Sequence, residues 1–100
     1  MEIQETINNI RAWGLEKGIT GTNGSQKAQL AKLLEEVGEL QHAIKTDNRD
    51  EKIDGVGDCT VVLILLSELM GLPFEQCVDT AYNVIKGRTG RMQSGVFIKD

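Results

Sequence analysis

Residues 59–70 read Cys-Thr-Val-Val-Leu-Ile-Leu-Leu-Ser-Glu-Leu-Met, and Val61 to Leu66 is the longest apolar run in the chain. Its β-branched residues suit a buried strand as well as a buried helix. Helix is the better reading, because Ser67-Glu68-Leu69-Met70 carries on without a turn signal. A helix that is apolar all round must be buried all round. A chain of 100 residues covers only a limited share of its own surface, so this requirement points to the centre of an oligomer, a dimer or tetramer. The run is far too short to cross a bilayer, and no membrane role is expected.

Working outward, that helix is expected over residues 50–70. Gly71-Leu72-Pro73 ends it, with Gly near the C-cap and Pro opening the next helix. Phe74, Cys77, Val78, Ala81, Tyr82 and Ile85 form the stripe of a following amphipathic helix, closed by Gly87 to Gly90. On the N-terminal side, Leu30, Leu33, Leu34, Val37, Leu40 and Ile44 mark a helix capped by Ser25 and ended by Thr46-Asp47-Asn48. Ile3, Ile7, Ile10 and Trp13 mark a first helix over residues 2–17. Gly18, Gly21 and Gly24 make the intervening stretch a loop, a flexible lid or connector. The tail, with Val96-Phe97-Ile98, is expected to pack back as a short extended segment. The sum is one all-α domain over residues 1–100, an antiparallel four-helix bundle-like fold.

Net charge is −4 and the pI about 5.0, which excludes duplex nucleic acid as a main partner, since phosphate backbones need a broad basic face. A small phosphorylated ligand stays compatible if a metal offsets its charge. Cys59 and Cys77 form no CxxC or Cys/His cluster, so zinc is not expected. They read as two reduced, buried thiols of a cytoplasmic protein, the host cell's cytoplasm if the protein is phage-encoded. Glu2, Gln4 and Glu5 interrupt any signal-like apolar run at the N-terminus.

Two segments then stand out. Residues 35–39 read Glu-Glu-Val-Gly-Glu, and residues 54–58 read Asp-Gly-Val-Gly-Asp. Glu35 falls on Asp54 and Glu39 on Asp58, each pair four residues apart on one helix face. Like charges at that spacing repel, and each mid-helix glycine, Gly38 and Gly57, costs about 1 kcal/mol relative to Ala. Locally unfavourable choices of this kind mark candidate functional sites. Gly38 and Gly57 are expected to let two helices approach, and a divalent cation to neutralise the facing acids. Carboxylates without His or Cys suit Mg²⁺ or Mn²⁺. His42, three residues beyond Glu39, reads as an exposed helix residue rather than a ligand.

Asn83, Lys86, Arg88 and Arg91 gather at and beyond the end of the last helix. They either complement its macrodipole or hold phosphate oxygens across from the metal, with Gly87 and Gly90 giving the backbone room to turn. No Walker-type loop is present. Trp13 and Tyr82 are either core residues or stacking platforms for a base.

These residues resemble the MazG-like, all-α nucleoside triphosphate pyrophosphohydrolases. Glu35-Glu36-Val37-Gly38-Glu39 matches the family's EExxE motif in full. Gly57-Asp58 and the apolar run after it resemble the second, ExxD-type motif. Asn83, Lys86 and Arg88 look like the phosphate-side segment. The short form ending Gly95-Val96-Phe97-Ile98-Lys99 looks like MazG-like proteins common in phages.

The resemblance implies Mg²⁺-dependent hydrolysis of a nucleoside triphosphate between the α- and β-phosphates. Glu36, Glu39, Asp58 and Asp54 would hold the metal. Glu35 or Glu36 would orient or deprotonate water, Lys86 and Arg88 would stabilise the leaving pyrophosphate, and Asn83, Arg91, Tyr82 and Trp13 would contact substrate. One departure stands out: the Glu expected three residues before Asp58 is Gly55. Asp54 takes over in the first reading, and Glu51, from a literal Glu51-Lys52-Ile53-Asp54, in the second. A non-catalytic helical interaction module and a nucleotide or metal sensor are the competing functions.

Overall fold

The structure is a computed structural model and describes residues 1–100. Its elements are α1 (Ile3–Glu16), α2 (Gln26–Lys45), α3 (Arg49–Leu69), α4 (Phe74–Ile85), β1 (Gly90–Gln93) and β2 (Val96–Lys99). The apolar run is helical, as its continuation through Ser67 to Leu69 requires.

The helix ends are built from local chemistry. Ser25 Oγ accepts from the Ala28 amide at 3.1 Å, and Asn48 Oδ1 accepts from the Glu51 amide at 3.0 Å. Three helices close with the same C-terminal double bond. After α3, the Leu72 amide reaches the Ser67 carbonyl at 2.9 Å and the Gly71 amide reaches the Glu68 carbonyl at 3.0 Å, with Gly71 at φ 72°. α1 repeats this at Gly18 and Ile19, and α2 at Asp47 and Asn48, where Asp47 takes φ 51°. The α2–α3 turn is therefore three residues long, and the two helices run as an antiparallel hairpin.

That hairpin is the main packing unit. Ala43, Val62, Ile64, Leu65 and Leu66 form the buried apolar core. Gly55 is buried where α2 crosses α3, and a Cβ there would lie 2.9 Å from Leu40 Cδ1 and 3.2 Å from Leu40 Cα. Gly38 and Gly57 face open space, with no atom within 4 Å of such a Cβ. The expectation that those two glycines bring the helices together is therefore corrected. The close approach belongs to Gly55, the residue that departs from the family motif.

α1 lies on α3 through Gly14, whose Cα side abuts Leu65 so closely that any side chain would overlap it. Arg11 secures it, its Nε lying 2.9 Å from a Glu68 carboxylate oxygen as an ion pair and its guanidinium donating to Glu75 at the start of α4. The Gln4 amide donates to Glu75 as well. That hydrogen bond, then the residue's own backbone amide and Arg11, holds the Glu75 carboxyl below the usual glutamate range. The Gly18–Gly24 loop packs at the far end of α3, with Gly24 against Leu69 and Gln26 Nε2 donating to the Leu69 carbonyl at 3.2 Å. It is a connector.

The bundle expectation holds only in part. α4 leaves α3 at 107° and buries none of its residues. The tail is extended, as expected, but it is a hairpin rather than a segment packed on the helices. Arg91 pairs with Ile98 and Met92 with Phe97 around a two-residue turn, Ser94-Gly95, with positive φ at both positions. β1 and β2 pair with each other and approach no helix of the same chain. Cys77 is exposed and Cys59 half-buried, so the two thiols are free but not both buried. No single helix is long and apolar enough to cross a membrane.

Substituting Gly38 and Gly55 tests the crossing. Gly38→Ala is expected to gain stability from helix propensity, about 1 kcal/mol. Gly55→Ala has the same propensity gain but must displace Leu40 at its Cα, and overpacking of this kind costs about 1–3 kcal/mol. Thermal melts should show shifts of opposite sign. A higher Tm for Gly55→Ala would mean that the crossing is slack.

Candidate metal centre

The register set by Leu40 on Gly55 places the acids. One turn back along α2 is Glu36, and three residues on along α3 is Asp58, so the two meet across the hairpin. Glu39 joins them from three residues beyond Glu36 on the same helix. One ligand oxygen from each of Glu36, Glu39 and Asp58 lies within 4.8 Å of the others.

The three carboxylates are not equivalent. Glu39 and Asp58 are exposed, whereas Glu36 is only 7% exposed. Its Oε1 pairs with Lys32 Nζ at 3.3 Å, and its Oε2 is buried with no hydrogen-bond partner. Lys32 also lies 3.6 Å from Glu35, and these contacts, Glu36's first, hold its ammonium above the usual lysine range. The Glu36 carboxylate, first as an acceptor for the Glu39 proton and then through its charge, pushes the Glu39 carboxyl above the usual glutamate range. A buried acceptor without a partner costs free energy unless something fills its lone pairs. A divalent cation among three all-oxygen ligands does that, and the donor set fits a hard cation such as Mg²⁺ or Mn²⁺.

The cluster opens into a cleft of about 520 Å³ whose lining carries no hydrophobic residue. Glu35, Glu51, Asp54 and His42 all face it. Asp54 and Glu51, the two readings for a fourth ligand, thus share the cleft but stand outside the three-oxygen cluster. His42 is exposed, as expected, and also lines the wall.

The cationic residues are elsewhere. Asn83, Lys86, Arg88, Arg91, Tyr82 and Trp13 do not line the cleft, and α4 makes no approach to α2 within the chain. The 107° turn at Gly71-Leu72-Pro73 is the cause, since it aims the end of α4 away from the α2–α3 hairpin. Tyr82 and Trp13 are 59% and 45% exposed, so neither is a core residue of one chain. Sequence reasoning passed over Lys32, although its spacing from Glu35 and Glu36 is that of an i,i+3 and i,i+4 ion pair.

Residues 24–92 match the family model of the MazG nucleotide pyrophosphohydrolase domain. The chain belongs to the MazG family. The match holds α2, α3 and α4 together with every acid of the cleft, and leaves out α1 and β2. A protein of Haemophilus phage HP1 (strain HP1c1), described as an uncharacterized 18.2 kDa protein in the rep-hol intergenic region, is 34% identical over 67 residues. The aligned stretch is 67% of this chain and 40% of that protein, so the chain spans less than half of the relative's length. No solved structure matches the chain. In this MazG domain Leu40 occupies the space that a side chain at position 55 would need, and residue 55 is glycine.

The raised Glu39 value sets a pH signature. A carboxyl that holds its proton more tightly in the folded state adds stability when protonated, and that contribution is lost as pH rises through the folded value. Metal-free wild type should therefore lose more stability than Glu39→Gln between pH 4 and 7, as the Glu36–Glu39 repulsion develops. Mg²⁺ or Mn²⁺ should reverse the loss in wild type only. Parallel Tm-against-pH curves for the two proteins would remove Glu39 from the cluster.

Proposed function

We propose that this chain is a divalent-metal-dependent nucleoside triphosphate pyrophosphohydrolase, which cleaves between the α- and β-phosphates to give a monophosphate and pyrophosphate. The observation that carries the reading is the convergence of Glu36, Glu39 and Asp58 around a buried, unpartnered carboxylate oxygen. Membership of the MazG family supplies the reaction class.

In this reading Glu36, Glu39 and Asp58 hold Mg²⁺ (or Mn²⁺), with Asp54 as the next oxygen donor. When bound, the cation supplies Lewis-acid polarisation and charge neutralisation at the phosphate oxygens. Glu35 faces the cleft from outside the three-oxygen cluster, so it is free to orient the attacking water and accept its proton. Lys86, Arg88 and Arg91 then offset charge on the leaving pyrophosphate, and Asn83 donates to a phosphate oxygen. Tyr82 and Trp13 present flat faces on which a base can stack.

One chain does not join these two halves, and we take a second copy to supply the cationic half. Only 9 of 100 residues are buried, and the Cα radius of gyration is 15.8 Å. A compact chain of this length has a radius of about 13 Å. Val78, Tyr82 and Ile85 form an exposed stripe on α4, and Met92, Val96, Phe97 and Ile98 are exposed on a hairpin with no helix against it. A lone two-stranded hairpin is marginal in water. Its cationic neighbours, Lys86, Arg88 and Arg91, complement the acidic cleft of another copy. A homo-oligomer closes both deficits.

Purified protein incubated with each NTP and dNTP plus Mg²⁺ should release pyrophosphate from at least one. A folded protein that releases none with any of them overturns the enzyme reading. Glu39→Gln and Asp58→Asn should each lower kcat at least a hundredfold with the fold retained. Mixing the inactive Glu39→Gln and Lys86→Ala chains should restore activity, to about a quarter of wild type for random dimers, because one site in each mixed dimer is then intact. No recovery on mixing places both halves in one chain.

A further inference from the structure

The Glu36 carboxylate is divided between two tasks. Oε1 faces Lys32, and Oε2 is the buried atom with no partner. Lys32 sits one turn before Glu36 on α2, so its stem runs along the same helix face and brings the ammonium to 3.3 Å from Glu36 and 3.6 Å from Glu35. The adjoining cleft is lined by five carboxylates, Glu35, Glu39, Glu51, Asp54 and Asp58, with His42 and no Lys or Arg, and Glu36 meets Glu39 and Asp58 at its edge. Burial of a carboxylate is costly without a counter-charge. Lys32, whose own side chain is 47% exposed, is the group that supplies it and is free to swing out.

We propose that Lys32 is a resident counter-cation: it neutralises Glu36 while the carboxylate site is metal-free, yields when a divalent cation enters, and thereby sets the affinity of the site for metal. The proposal rests on the metal reading above. It makes Lys32 a positioning residue rather than a catalytic one. With the ammonium in place, Glu36 is held at the cluster with Oε2 directed inward. Metal entry exchanges one unit of positive charge beside Oε1 for two units among three carboxylates. The entering ion must overcome the field of the lysine as well as its own hydration, so the lysine raises the metal concentration at which the site fills.

The test is calorimetric titration of Mn²⁺ into substrate-free protein at neutral pH, with thermal melts of the metal-free forms. Lys32→Met keeps most of the stem and removes the charge. It should bind Mn²⁺ about three- to tenfold more tightly, as expected for removing a like charge a few ångströms from the ion, and its metal-free form should melt at a lower temperature. Lys32→Arg should restore both properties. Lys45→Met makes the same change in net charge thirteen residues further along α2, nine residues beyond Glu36 and so about 13 Å from it at 1.5 Å per residue. That distance exceeds the screening length at physiological salt, about 8 Å, so its affinity should match wild type. Equal affinities for Lys32→Met and wild type, or an equal gain in Lys45→Met, would overturn the assignment. If wild type itself takes up no Mn²⁺, the metal reading fails, and that outcome is distinct from a wild type that binds and a Lys32→Met that binds no better.

Discussion

The contact of Gly55 with Leu40 is the constraint on which the rest of the structure depends. It lets α2 and α3 cross with backbone almost touching side chain, and it fixes their register. From that register follow the meeting of Glu36 with Asp58 and the inward position of Glu36. Three carboxylates do not gather by themselves, because each repels the others. Burial of Ala43 on the turn side of the crossing, and of Val62, Ile64, Leu65 and Leu66 on its far side, supplies the opposing free energy. The hairpin therefore holds the acids together against their own field, and a cation relieves that field.

Much of this was legible in the sequence because it is local. Capping residues and stripe periodicity place all four helices to within a residue or two, since Ser25 and Gly71 act on their nearest neighbours along the chain. The direction of α4 was not legible. Gly71-Leu72-Pro73 says that one helix stops and another starts, and nothing in those residues states the angle between them. The hairpin was half legible: Ser94-Gly95 is a good two-residue turn, but Val96-Phe97-Ile98 alone suggested a segment seeking the helices. Gly38 and Gly57 read as spacers because they stand beside acids, whereas packing is decided by which face looks at the neighbouring helix.

The candidate site divides along the same line. The acids share one hairpin, so spacing alone identified the segment; the structure brings Glu36, Glu39 and Asp58 together and leaves Glu35 and Asp54 on the cleft wall. Lys32 stands out less in the sequence, because an i,i+4 Lys–Glu pair is favourable on any helix surface whereas acids paired with acids repel. The cationic segment could be recognised as a cluster but not placed against the cleft. Its position depends on the α3–α4 turn and on surfaces that a single chain leaves open.

The hold on α1 carries one more consequence. Gly14 against Leu65 and the Arg11 clamp are its chief ties, and the clamp is polar and partly wet. Helix–helix contact of this kind belongs to the low end of a protein's ladder of local unfolding, below a hairpin with its own core. α1 is thus a separable cooperative unit. Its release bares Leu65, seven residues from Asp58 or about 10 Å along the helix, and leaves the carboxylate cleft undisturbed. Backbone amides in α1 are expected to exchange with solvent sooner than those of α2 and α3, so that the chain loosens at one end without losing its chemistry at the other.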